Sequence, residues 1–161
     1  MSAANGLVFG SAAGRAAADF AACGGGDGAF CSLPGFAAEE PRREMERILD
    51  LSFRHMMLAR DEEGLRGTLQ ALDEIEEGAR LHGRPCALRL GEVVPKDCRD
   101  TLRLLSMLAA GRAAAGAMLL RRESRGSHYR SDYPEVREAL GRQILVRRGE
   151  GGRPAVFFAH Q

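Results

Sequence analysis

Residues 121–135 read RRESRGSHYRSDYPE, and this run decides how the rest of the chain is organised. Upstream lies an alanine-rich stretch with helical spacing; downstream lie two short apolar runs separated by glycines. Arg121, Arg122 and Arg125 stand where the negative end of the upstream helix is expected, and Gly126 is the natural residue to follow it. Asp132 is positioned to cap a short helix whose first turn holds Pro134 and Glu135. The run therefore predicts a boundary between helices and a small β tail.

Working back from it, Pro95 opens a third helix, whose expected buried side carries Leu102, Leu105, Ala109, Gly116 and Leu119. Its segment AAGRAAAGA at 109–117 is built of small residues that let neighbouring helices approach closely. A second helix begins at the capping residue Asp61, with Glu62 and Glu63 near its positive end. It carries Leu65, Leu69, Leu72, Ile75 and Ala79 on one side, to about Leu81, and Gly83-Arg84-Pro85 breaks it. Residues 84–94 are expected to be a loop. In the first helix, 39–60, Met45, Ile48, Leu49, Phe53, Met56 and Met57 keep helical spacing, with the methionines as core filling. Residues 39–135 thus predict an antiparallel three-helix bundle.

Working forward, residues 136–161 predict a short helix and a hairpin of strands 144–147 and 155–158. A lone hairpin is marginal, so it should lie against the bundle or a partner. At the other end, Phe9, Ala12, Ala13, Ala16 and Phe20 share a stripe of an extra helix over 1–22, with Ser2 as its cap. Residues 23–38, CGGGDGAFCSLPGFAA, read as a glycine-rich linker. Their glycines lack both phosphate-loop spacings and follow a helix rather than a strand. The fold class is mainly α: an antiparallel three-helix bundle with an extra N-terminal helix and a C-terminal β-hairpin.

Composition narrows the chemistry. The 161 residues are 45% hydrophobic, and 23 basic side chains oppose 22 acidic ones for a net charge of +1. That balance argues against a nucleic-acid partner, and the apolar fraction against bulk disorder. The charge is uneven: residues 39–80 hold 12 acids and 7 bases, residues 121–153 hold 9 bases and 5 acids. Cys23, Cys31, Cys86 and Cys98 are scattered, as are the four histidines, so no metal site is expected. The lack of a signal-like start and of a long uninterrupted apolar run predicts a cytoplasmic chain without direct membrane insertion.

The densest polar cluster is Arg125, His128, Tyr129, Arg130, Asp132 and Tyr133. His128 beside Asp132 could form a general base, with arginines holding an anion. The other reading is a structural network of Arg125, His128, Arg130, Asp132 and Tyr133 that locks a helix end to a neighbouring surface.

The same run resembles the signature closing the helical C-terminal domain of the fumarate reductase, succinate dehydrogenase and L-aspartate oxidase flavoproteins. In that family a long helix ends in E-S-R-G-x-H and continues to D-Y-P-E; here these are Glu123, Ser124, Arg125, Gly126, His128, Asp132, Tyr133, Pro134 and Glu135. The N-terminal SAANGLVFGSAAGRAAA is similar to the last helix of the family's FAD-binding domain, with Ser2 and Gly6-Leu7-Val8-Phe9-Gly10 in register. DEEGLRGTLQALDEIE suits the second bundle helix, and ILVRRGEGGRPAVFF resembles the terminal hairpin of fumarate reductase-like members. The resemblance implies FAD as cofactor, with only Ser2 and Ala3 at flavin-contacting positions and no catalytic residue in this chain. The G-x-G-x-x-G fold that holds FAD, and the family's substrate-binding His and Arg, would lie outside it. The implied partner is a flavin-binding domain or subunit of the same family, free in the cytoplasm or in a complex peripheral to a membrane. The implied function is a domain supporting that partner, and the alternative is a non-catalytic interaction module derived from such a flavoprotein.

Overall fold

A computed structural model describes residues 30–33, 40–81, 86–89, 96–150 and 153–159. The chain divides into two compact units, residues 1–31 with 87–92, and residues 32–86 with 93–161. Strands β1 (Phe30–Leu33) and β2 (Cys86–Arg89) pair in a two-stranded sheet. They fall within the stretches expected to be linker and loop, where four-residue runs next to glycine and proline give too little periodicity to register. The helix expected over 1–22 lies outside the described residues. Everything that follows belongs to the larger unit.

Three helices form its body: α1 (Pro41–Met56), α2 (Glu62–Leu81) and α3 (Lys96–Leu120). Pro41 opens α1, where a missing N–H breaks no helical bond. Asp61 caps α2 by accepting the Gly64 N–H at 2.7 Å. Two apolar layers run across the bundle. One joins Ile48 of α1, Leu72, Ile75 and Ala79 of α2, and Leu104 and Leu108 of α3. The other joins Met56, Leu65 and Ala115, with Leu69, Ala114, Met118 and Leu119 packed on it. Position along α1 and α3 rises from the first layer to the second while position along α2 falls, so the helices run up, down, up.

The buried faces differ from the expected ones. On α1, Ile48 and Met56 are buried, whereas Leu49, Phe53 and, just past its end, Met57 point outward, Phe53 at 71% exposure. The apolar arc of α1 is wider than two neighbouring helices can cover. On α3 the buried phase is Leu104, Leu108 and Ala115, not Leu102 and Ala109. Leucines nearly all round that helix leave the periodicity without a preferred phase. Small residues do set its close contacts: a Cβ on Gly111 would stand 3.1 Å from Leu72 Cδ1. From Arg99 to Leu120 the helix is long and apolar enough to cross a membrane, by length and composition only. Arg103, Ser106 and Arg112 interrupt it, which hides that property from a search for unbroken apolar runs. Arg112 ties it to α2, reaching Asp73 at 2.8 Å and Glu76 at 2.6 Å.

After α3 the chain makes one 3-10 turn, Glu138–Leu140, and then the hairpin of β3 (Ile144–Arg148) and β4 (Pro154–Phe158). The strands are antiparallel, with Ile144 opposite Phe158 and Val146 opposite Val156. The hairpin leans on α3, where a Cβ on Gly116 would meet Val156 Cγ2 at 3.2 Å. The expected short helix starting at Pro134 is absent: residues 132–137 are turn and extended chain. Asp132 is engaged elsewhere.

Burial ranks the side chains energetically. Leu104→Ala should cost about 2–5 kcal/mol in urea unfolding, whereas Phe53→Ala should shift it by less than about 0.5 kcal/mol. Equal losses for the two variants would contradict the outward orientation of the α1 arc.

Candidate functional site

Three helix ends meet beneath residues 121–133: the C-termini of α1 and α3 and the N-terminus of α2. Each end leaves backbone groups without helical partners, carbonyls at one pole and amides at the other. Carbonyl ends attract cations and amide ends attract anions. The side chains here answer that pattern.

Arg130 is fully buried. Its Nη1 donates to the carbonyl of Met118 at 2.8 Å, near the end of α3. Its Nε and Nη2 form a fork onto Asp132, at 2.7 Å to Oδ1 and 2.6 Å to Oδ2. Asp132 Oδ2 also accepts the Glu62 N–H at 2.8 Å, so this carboxylate caps α2 rather than a helix of its own. One bidentate pair thus closes the negative end of α3 and the positive end of α2. The Arg130 guanidinium holds the Asp132 carboxyl below the usual carboxylate range, and Asp132 raises Arg130 in return. Tyr133 lies under both Arg130 and Arg137, at 5.0 and 5.4 Å from ring centre to guanidinium carbon.

Arg60 closes α1. Its Nε and Nη2 donate to the carbonyls of Met56 at 2.9 Å and Met57 at 2.8 Å, and its Nη1 to that of Ser127 at 3.2 Å. Its backbone carries the join further: Arg60 N–H donates to Tyr129 O at 3.2 Å, and Ser131 N–H donates to Arg60 O at 2.8 Å. Burial lowers its pKa, yet a guanidinium stays charged at any ordinary pH.

A second buried centre is Glu123, with no exposed side-chain surface. Arg121 donates to its Oε1 at 2.7 Å, Arg125 to Oε1 at 3.0 Å and Oε2 at 3.2 Å, and the Arg137 N–H to Oε2 at 2.7 Å. The Arg125 bond chiefly, with the Arg137 amide and Arg121, overcomes burial and holds the Glu123 carboxyl at about 2. Arg121 reaches on to the carbonyls of Leu140 at 2.7 Å and Arg142 at 2.8 Å, which pins the hairpin's entry to the end of α3. Ser124 Oγ accepts the Arg130 N–H and donates to Tyr133 O, both at 2.9 Å.

His128 does not join Asp132. Its Nε2 lies 3.2 Å from the carbonyl of Arg121, so the neutral ring serves as a donor to a backbone oxygen. Burial lowers its pKa first, and the charges of Arg60, Arg130 and Arg121 add to that, against the hydrogen bond to Arg121 O. A ring with a nitrogen spent on a carbonyl is poorly arranged as a general base. Arg125 and His128 exchange backbone hydrogen bonds of 2.8 and 3.0 Å around Gly126. Gly126, with φ +58°, sits in this tight turn and not at the end of α3, which stops six residues earlier.

The sequence brings Arg125, His128, Arg130, Asp132 and Tyr133 to one place, but it conceals Arg60 and the central role of Glu123. The available signal is a lone arginine directly before the Asp61 cap, where the preceding helix must end. Ser2 and Ala3 lie outside the described residues. Among the described residues no group of His, Cys, Asp and Glu is arranged to hold a metal ion.

Two outcomes test this arrangement. Arg130→Met removes the buried fork from Asp132 and the α3 carbonyl and should cost about 1.5–3 kcal/mol in urea unfolding. Arg130→Lys should recover little, because an ammonium cannot span the carboxylate and the α3 carbonyl as a fork does. Glu123 has a folded-state pKa below its ordinary 4.5, so its contribution is complete above that pH. It is lost as pH falls from about 4.5 towards about 2, where the unfolded chain takes up the proton first. Urea midpoints across that window should fall more steeply for the parent than for Glu123→Gln.

Comparison with known proteins agrees with the fold. The family model described as the fumarate reductase flavoprotein C-terminus matches residues 42–150. An uncharacterised FAD-dependent oxidoreductase of Methanocaldococcus jannaschii is 26% identical over 103 residues, 64% of this chain and 18% of its own. A CoM/CoB fumarate reductase subunit from Methanothermobacter marburgensis is 45% identical over 49 residues, 30% of this chain and 9% of its own. Among solved structures, a variant of FrdA from E. coli quinol fumarate reductase superposes with a TM-score of 0.59 at 18% identity. That match covers 79% of this chain and 22% of FrdA, so the chain spans about a fifth of the proteins it matches. With the helical bundle and the matched span in agreement, the chain belongs to the fumarate reductase flavoprotein C-terminal family.

Proposed function

We propose that this chain is a scaffold: the helical portion of an FAD-dependent oxidoreductase, supporting a flavin-bearing domain or subunit of the same family. The observation that carries this is the family match over residues 42–150, in a chain that spans about a fifth of its flavoprotein relatives. Among the described residues no strand, glycine loop and helix of the dinucleotide-binding kind occurs. Hydride exchange between FAD and a dicarboxylate or amino acid would belong to the partner portion.

In this reading Arg125, His128, Arg130, Asp132 and Tyr133 hold the helix ends rigid and present residues 125–133 to the flavin-bearing body. The outward arc of Leu49 and Phe53 on α1, with Met57 just past its end, supplies apolar surface for such a body to cover. Ser2 and Ala3 would touch the flavin from the end of the preceding domain. The assembly would be cytoplasmic and, where it belongs to a respiratory complex, peripheral to the membrane.

A second reading, a stand-alone interaction module, draws on the bundle's own core, in which Leu65, Leu72 and Leu104 are fully buried. Affinity capture from the native host separates the two: a flavoprotein partner favours the scaffold, an unrelated partner the module. Purified alone, the chain should show no flavin absorbance and no succinate or aspartate oxidation. Stoichiometric flavin with turnover would overturn the scaffold assignment.

A further inference from the structure

The hairpin has one open edge, and its ladder shows which. Ala159 N–H donates to Gln143 O at 2.8 Å, and Gly149 N–H donates to Arg153 O at 2.7 Å. Bonded and non-bonded pairs alternate along an antiparallel ladder, so Leu145 and Arg147, of the same parity, also turn their backbone groups to β4. Ile144, Val146 and Arg148 turn theirs away from β4, and among the described residues no strand or side chain receives them. The far side of β4 is closed: Pro154 carries no N–H there, and Val156 packs on Gly116 of α3.

The side chains along the open edge have a definite character. Leu145 and Val146 are exposed. Arg147 and Arg148 follow them, both exposed, and among the described residues neither pairs with a carboxylate. Arg147 is braced over the Phe157 ring at 5.2 Å. The neighbouring arginines are engaged elsewhere, Arg142 over Phe158 and Arg153 at Asp73. An edge strand with two cations and no anion repels a second copy of itself and favours a strand that brings acids opposite them.

We propose that the β3 edge binds an extended acidic segment of a partner polypeptide, added antiparallel as a third strand on the backbone of Ile144, Val146 and Arg148. Its two carboxylates would stand opposite Arg148 and Arg147, with branched residues opposite Val146, Leu145 and Ile144. The site stands apart from the clasp over the helix ends and does not depend on the flavin assignment.

Titration of the full chain with the peptide acetyl-Glu-Glu-Val-Thr-Val-amide, followed by amide NMR shifts and hydrogen exchange, tests it. Saturable shifts centred on residues 144–148 are expected, with slowed exchange of the Ile144, Val146 and Arg148 amides. N-methylation of the peptide's first valine, whose N–H faces the edge, should abolish binding; N-methylation of its threonine, whose N–H faces away, should not. Lysines in place of the two glutamates should weaken binding about tenfold or more. A variant carrying both Arg147→Glu and Arg148→Glu should reverse that preference, and the peptide comparisons on the parent chain stand even if this variant fails to fold. Absence of saturation, equal binding of the two N-methylated peptides, equal binding of the glutamate and lysine peptides, or a dimer of the chain held by the same edge would each overturn the proposal.

Discussion

The Arg130–Asp132 pair is the interaction on which the larger unit turns. A three-helix bundle must bring helix ends together, and here a carbonyl pole and an amide pole lie side by side. Left to themselves they would need water or a side-chain partner. A guanidinium alone would satisfy the carbonyls of α3 and leave its own charge buried. A carboxylate alone would satisfy Glu62 N–H but leave the α3 carbonyls open. Joined as a fork, each neutralises the other while serving its own helix. Breaking either member exposes two defects at once, which is why such a pair is far more valuable intact than its net stabilisation suggests.

Glu123 repeats the device one layer further out. Its four bonds gather the chain beyond α3, the segment near Arg137 and the hairpin's entry around one carboxylate. The hairpin is then placed by Arg121 and by the contact of Val156 on Gly116, rather than by its own two-stranded ladder. Cation–π contacts of Arg121 and Arg142 on Phe158, at 5.7 and 5.1 Å, complete the seam. Arg121, Arg125 and Arg130 each bridge a carboxylate and a carbonyl that lie several residues apart.

The bundle is legible in the sequence because Leu65, Leu72 and Ile75 recur with an unambiguous period and Asp61 marks a start. The buried phase of α3 is not, because its apolar residues encircle the helix and its small ones pack on either side. Likewise the outward turn of Leu49 and Phe53 depends on how many neighbours α1 has, which spacing within α1 cannot state. The polar run is legible as a network of residue types but not as a wiring. That Asp132 serves Glu62, seventy residues away, and that His128 turns to a backbone carbonyl, are matters of tertiary approach. Local capping rules assign Asp132 to the nearest following helix, and the long-range partner wins.

The order of these parts along the chain carries a consequence for biosynthesis. All three helices precede residues 121–133, so a ribosome releases the whole bundle before the segment that closes it. Until Arg130 and Asp132 clear the exit tunnel, the carbonyl of Met118 and the amide of Glu62 have only water for company. A nascent chain cut short by a premature stop codon in this interval would carry every core leucine yet lack its lock, a natural target for the cell's proteases.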